Sequence, residues 1–239
     1  MLFYRDERPA ERWGERRKSR RRDVIDAMTD VVTEDMTGGA TKAERTRRHI
    51  LTRGLALVSV KGLGSVSLGE VAEHAGLSKS GLYAHFGSLE GLQLELLRAA
   101  GALAERAVVR PALEEPPGLP RLYRFFGGFL GWAGRCGLPG GCPFVGAATE
   151  FDDVPGGVHD LLAGTLRELV GTVSRFVGEA AALGQLRKDV DADAVAWQLF
   201  GIYTAHHVQT RLLRDPDADA RAHRALEALM APLRPADTP

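Results

Sequence analysis

The chain has 239 residues, with 31 Lys/Arg balanced by 31 Asp/Glu. That balance excludes a uniformly basic histone-like protein and an acidic disordered tail, and 44% hydrophobic with 26% charged residues is the composition of a globule with a real core. Two cysteines exclude a disulfide scaffold and a four-cysteine zinc site.

No apolar run approaches the roughly 18 residues of a membrane span. Arginines at 5, 8, 12 and 16 occupy the place of a signal-peptide core, so the expected compartment is the cytoplasm. The zero net charge hides an asymmetry. Residues 1–110 hold 19 Lys/Arg and 15 Asp/Glu, whereas residues 111–239 hold 12 and 16. A basic first half and an acidic second half point to a polyanion met by the first half alone.

Residues 1–40 mix Arg, Glu and Asp without a helical apolar stripe. They read as a disordered arm, or as a start assigned too early with Met28 and Met36 as internal alternatives. As an arm, the Arg16–Arg22 segment would add phosphate contacts.

From Thr41 onward the pattern is helical. Thr41-Lys42-Ala43-Glu44 is a capping box, in which a hydroxyl and a glutamate satisfy free N–H groups. Ile50, Gly54, Leu57 and Val58 then share one face, and Gly62 ends the helix. Ser67-Leu68-Gly69-Glu70 is a second box, opening a short helix with Val71, Ala72 and Ala75. Gly76-Leu77 turns the chain, Ser78 caps a helix from Lys79 to about Phe86, and Ser88 caps the next.

Prolines 111, 116, 117 and 120 interrupt the pattern. Leu122, Phe125, Phe126, Phe129, Leu130 and Ala133 form a stripe that the Gly137–Pro143 loop is expected to break. A short helix follows around Phe144–Phe151, then a long one from Val158 to Val177. Ala194–Ala205 is apolar on nearly all sides and is expected to be buried on more than one face. Ala222, Ala225, Leu226, Leu229, Met230 and Leu233 stripe a final helix. No segment alternates with period two, so the fold class is all-α.

The informative segment is 67–86: helix, glycine turn, helix. A second helix of this kind suits a major groove about 12 Å wide, with its N-terminal side chains at the base edges. Ser78, Lys79, Ser80, Gly81, Tyr83 and His85 supply small or hydrogen-bonding groups there, while Leu82 and Phe86 hold the helix on its partner. Helix N-termini at Ser67 and Ser78 offer N–H groups to phosphate, and Lys42, Arg45, Arg47 and Arg48 are placed to flank the backbone.

Residues 41–97 resemble the DNA-binding domain of the tetracycline-repressor (TetR) family of bacterial transcription regulators. The resemblance is carried by Arg48-His49-Ile50-Leu51, Gly62, Val71-Ala72-x-x-Ala75-Gly76-Leu77-Ser78, Leu82-Tyr83-x-His85-Phe86 and Leu92. One position departs: where the family usually has a phosphate-touching lysine, this chain has Leu89. The resemblance implies a helix-turn-helix DNA-binding domain at 41–88 and a helical effector-binding and dimerisation domain at 89–235. It further implies a homodimer through the last two helices, acting as a ligand-responsive repressor released from operator DNA by a small hydrophobic effector. Independently of family, one helix-turn-helix makes few contacts, so two are usually joined by symmetry at half-sites about 34–36 Å apart.

Eleven of the sixteen aromatic residues follow residue 120, enough to wall an apolar pocket or simply to fill a core. Phe126, Phe129, Trp132, Phe144, Trp197, Tyr203, His206 and His207 are the candidate effector contacts. Cys136 and Cys142 flank a Pro/Gly loop and suggest an alternative, a thiol-based redox sensor. An all-α enzyme using the aromatic pocket is a further alternative, without a nucleophile–base pair in the sequence to support it. Adjacent His206 and His207 diverge by about 100° on a helix and make a poor metal pair. Asp189, Asp191 and Asp193 imitate a calcium loop, but Ala194 and Phe200 stand where glycine and glutamate are needed. No metal or cofactor is expected.

Overall fold

The computed structural model describes residues 41–235, which form helices and connecting turns with no strand among them. The expectations for residues 1–40 lie outside the described residues.

Helix α1 (Lys42–Lys61) opens with the capping box complete: Thr41 Oγ1 accepts from Glu44 N at 3.2 Å, and the Glu44 carboxylate accepts from Thr41 N at 2.6 Å. Ile50, Gly54, Leu57 and Val58 are buried, and Gly62 ends the helix at φ 94°. Helix α2 (Leu68–His74) starts with the Ser67/Glu70 box. Helix α3 (Lys79–Phe86) is capped by Ser78, which accepts from Gly81 N, and is closed by Gly87 in the left-handed conformation. Helix α4 (Leu89–Ala104) is capped by Ser88. Its buried Leu92, Leu96 and Leu97 pack these helices together, each worth about 1.5–3 kcal/mol of apolar burial.

Helix α4 runs without a stop into a wider π-helical turn, Glu105–Val109, and then α5 (Arg110–Leu113). Across this turn the Arg110 N–H reaches the Glu105 carbonyl. The widening sits just before Pro111, whose ring and missing N–H disrupt a regular α-helical ladder.

Helix α6 (Leu119–Phe129) stops sooner than the apolar stripe predicts. The break falls at Leu130–Gly131, not at Gly137, and α7 (Trp132–Arg135) follows. Gly131 takes φ 67°, and the Arg135 guanidinium donates to the Gly128 and Leu130 carbonyls left open by the break. Helix α8 is shorter than expected, Pro143–Ala148.

Helix α9 (Gly157–Ala182) is the longest and packs along α10 (Ala192–Val208), whose N-cap is Asp191. A second π-helical turn, Gln209–Leu213, leads to α11 (Ala218–Met230) and a 3-10 turn at Ala231–Leu233. Phe125 stacks edge-on against Phe129 and Phe176, and Phe129 against Tyr203, locking α6, α9 and α10 together.

Within one chain α10 is buried on one face, where Ala194–Ala205 is expected to be buried on more than one. Val195, Ala196, Leu199 and Tyr203 face inward, but Trp197 is 74% exposed. Leu212 and Leu213, just beyond the helix, are exposed as well.

Four contacts tie the helix-turn-helix end to the rest. Ser59 Oγ accepts from Gly140 N at 3.0 Å, and the Ser59 carbonyl accepts from Gly141 N at 2.9 Å. The Glu150 carboxylate accepts from Gly64 N, and the Glu90 carboxylate from Gly157 N at 2.9 Å.

Candidate nucleic-acid interface and effector cavity

Helix α3 is held by its apolar side and presents its polar side. Leu82 is 0% exposed, while Ser78, Lys79 and Ser80 face solvent and Tyr83 is 56% exposed. Gly81 and His85 are half-buried at the edge of the same face. Ser78 Oγ and Ser80 Oγ lie 3.2 Å apart at the start of the helix. Arg45 is exposed on the first turns of α1.

Two of the expected phosphate contacts are built differently. The hydroxyl and N–H of Ser67 both engage the Glu70 carboxylate, which sits over the start of α2. Hydrogen bonds from Lys61 and then from Ser67 hold Glu70 below its usual pKa, so a phosphate there meets a fixed negative charge. The first turn of α3 carries no acidic residue, only the neutral Ser78 cap and the cationic Lys79, and is the better anion site.

Arg47 turns inward. Its Nη1 donates to the His85 carbonyl at 2.9 Å, its Nη2 to Glu95 at 2.6 Å, and its guanidinium lies 4.7 Å from the Phe86 ring centroid. It clamps the end of α3 onto α1 and α4. His49 Nε2 similarly meets the Ala75 carbonyl in the turn at 3.2 Å, and the buried Gln93 donates to the Leu63 carbonyl at 3.2 Å. These positioning contacts are long-range and have no local sequence signature.

A cavity of about 470 Å³ opens between α4 with its π-helical turn, α6, α8 and α9. Phe129, Trp132, Phe144 and Tyr203 line it as expected, together with Phe125, Leu166 and Cys142. Trp132 Nε1 donates to the Tyr203 hydroxyl at 3.3 Å. Burial pushes the Tyr203 phenol well above its usual pKa, with neighbouring Cys142 acting in the same direction. Phe126 lies instead on a small apolar pocket of about 20 Å³ behind Phe125 and Phe129.

Trp197, His206 and His207 are not in the cavity wall. Trp197 points to solvent from the outer face of α10. The His206 side chain is buried and contacts Asp219 Oδ1 at 2.6 Å, joining α10 to α11. His207 packs toward Gly141; burial, then nearby Arg211, pushes its pKa down. The all-round apolarity of α10 gave no facing information, which is why these three were misplaced.

Sequence reading missed two carboxylates at the cavity, Glu105 and Glu168. A signal existed: Thr165, Glu168 and Thr172 recur at helical spacing, a polar stripe on the cavity side of α9. The two cysteines are free thiols. Cys142 is in the cavity wall, and burial pushes the Cys136 thiol up, away from the reactive thiolate. Among the described residues no group of His, Cys, Asp and Glu could hold a metal, and no helix is long and apolar enough to cross a membrane.

Two family models match. Residues 50–96 match "Bacterial regulatory proteins, tetR family", and residues 118–226 match "Tetracyclin repressor-like, C-terminal domain". A curated relative, the HTH-type transcriptional regulator AcrR of Shigella flexneri, is 47% identical over 45 residues, 19% of this chain and 21% of that protein. The match therefore spans about a fifth of that relative's length. The solved structure of a TetR transcriptional regulator from Chloroflexus aurantiacus is similar with a TM-score of 0.73 and 25% identity, over 80% of this chain and 96% of that one. The crystal structure of AibR in complex with isovaleryl coenzyme A and operator DNA shares the fold, with a TM-score of 0.60 and 18% identity over 80% of this chain and 100% of that one. Two family models, one on the α1–α4 end and one on the cavity-bearing helices, and an outward polar face on α3 agree: the chain belongs to the tetracycline-repressor family of DNA-binding transcription regulators.

Proposed function

We propose that the protein is a homodimeric repressor that leaves its operator when a small, largely apolar molecule fills the cavity. Residues 41–88 form the reading head, and residues 89–235 form the effector and dimer part. The observation that carries this reading is α3 itself, a short rod with Leu82 sealed inside and Lys79, Ser80 and Tyr83 outside, where major-groove base edges are read. Ser78, Gly81, His85 and Arg45 complete the contact surface; Ser67, whose hydroxyl and N–H are held by Glu70, does not. The bare apolar face around Trp197 is the surface for a second copy, through α10 and α11. AibR, with the same fold, binds both an acyl coenzyme A and operator DNA, which supports two functions on one scaffold. No observation favours the thiol-sensor or enzyme alternatives.

The coupling runs through the 137–143 loop. Gly140 and Gly141 are bonded to Ser59 of α1, and Cys142, next in the chain, is in the cavity wall. A ligand that displaces the wall shifts α1 and with it α3. A coupling of about 1–3 kcal/mol changes operator affinity 5–150-fold. The dimer acts in the cytoplasm, where the operator is.

The test is a gel shift on the DNA upstream of the protein's own gene, at low salt. The parent retards the fragment; Lys79→Ala and Tyr83→Ala retard it less while unfolding at the parent temperature. Lys79→Ala also lowers the salt slope by about 1. Variants that bind as well as the parent refute the assignment of α3.

A further inference from the structure

We infer that the cavity selects a hydrophobic cation. This rests on reading the cavity as the effector site and names the ligand class. The charged residues of its wall are both acidic: Glu105 from the π-helical turn and Glu168 from α9. No lysine, arginine or histidine lines it. The Glu168 carboxylate has no ion pair or hydrogen bond among the described residues. Glu105 is shared with Arg110, which reaches only its Oε1, at 3.2 Å, and is not part of the wall. Of the two arginines on α9, Arg175 donates to Thr172 Oγ1 at 2.7 Å, and neither it nor Arg167 is part of the wall.

The interior adds a second, independent preference. Phe129, Trp132, Phe144 and Tyr203 surround the space with aromatic rings, whose faces are negative and attract cations once water is excluded. An anion entering the same space would lose hydration and find two carboxylates and no counter-charge. A multiply charged acyl coenzyme A is therefore the wrong class for this wall, although it suits AibR. A monovalent cation with an aromatic or branched alkyl shell fits on charge and surface, and a volume of about 470 Å³ is sufficient for a drug-sized molecule. Its charge would sit at the mouth between Glu105 and Glu168, with its apolar body among the rings.

The test uses two probes of one shape and opposite charge, tetraphenylphosphonium and tetraphenylborate, titrated calorimetrically into the full-length protein. The phosphonium is expected to bind about tenfold tighter or more. In Glu168→Gln combined with Glu105→Gln that ratio falls several-fold, whereas Glu73→Gln, a carboxylate on α2 remote from the cavity, leaves it unchanged. Both glutamates are solvent-exposed, so the variant keeps its fold, which its unfolding temperature verifies. Equal affinities, a preference for the borate, or a ratio unmoved by the double substitution overturns the charge selection and leaves the effector reading standing. Binding of neither probe overturns both. Phosphonium binding that fails to release an operator fragment overturns the effector role while supporting the ligand class.

Discussion

Replacing Gly140 with alanine drives a methyl group into the backbone of α1. A Cβ at this position would lie 1.6 Å from the Ser59 carbonyl oxygen and 2.0 Å from its carbon. Ordinary contact begins at 3.4 Å, so the loop must retreat by 3.4 − 1.6 = 1.8 Å. No side chain can rotate to relieve the clash, because the obstacle is main chain. The retreat breaks both bonds to Ser59, each worth about 0.5–1.5 kcal/mol, and overpacking adds about 1–3 kcal/mol. The sum is about 2–6 kcal/mol. For a chain of this size that lowers the melting temperature by about 4–24 °C. Gly164→Ala is the control: it lies within α9, nothing stands within 4 Å of the added carbon, and it should stabilise by about 0.5–1 kcal/mol. Thermal unfolding followed by circular dichroism, at one protein concentration, reads both. A Gly140→Ala midpoint within about 2 °C of the parent refutes the docking of this loop on α1.

Arg47→Lys keeps the charge but loses the fork that spans the His85 carbonyl and Glu95, and should cost about 1–2 kcal/mol in urea unfolding; an unmoved midpoint contradicts the clamp. Burial opposes the charge on Glu95, but hydrogen bonds from Arg98 and Arg47 outweigh it and hold the carboxyl below its usual pKa. Its stabilisation is therefore complete above the ordinary carboxylate range and lost as pH falls through the lowered value, so Glu95→Gln should flatten the acid limb of the stability profile. Trp197→Asp should leave the single chain's fold intact and abolish the dimer, as read by sedimentation equilibrium; a persisting dimer moves the interface elsewhere. Tyr203→Phe strands the buried Trp132 N–H and should cost about 1–3 kcal/mol, measured by chemical unfolding.

What could be read in advance was what is local. Hydroxyl caps at Thr41, Ser67, Ser78 and Ser88 act within three residues, so spacing alone located four helix starts. The inward side of α3 followed from Leu82 and Phe86 in the same way. The break after Phe129 was hidden because the apolar stripe continues through it, and the closing contact comes from Arg135, six residues on. Arg47 read as a phosphate contact because its partners, Glu95 and the His85 carbonyl, are 48 and 38 residues away. Glu105 and Glu168 did not stand out because an acidic side chain on a helix is usually solvated surface. Only the packing of α4 against α9 brings them to one opening.

The π-helical turn at 105–109 gives the long helix from Leu89 to Leu113 one residue more than a regular coil of the same rise would hold. Deleting a single residue there would let the coil close to its ordinary pitch with its two halves still in phase. Leu92, Leu96 and Leu97 would keep their seats, and so would the Val109–Ala112 end. The surplus amino acid is thus taken up sideways as a bulge, and the angle at which the DNA-facing end meets the chamber does not depend on it.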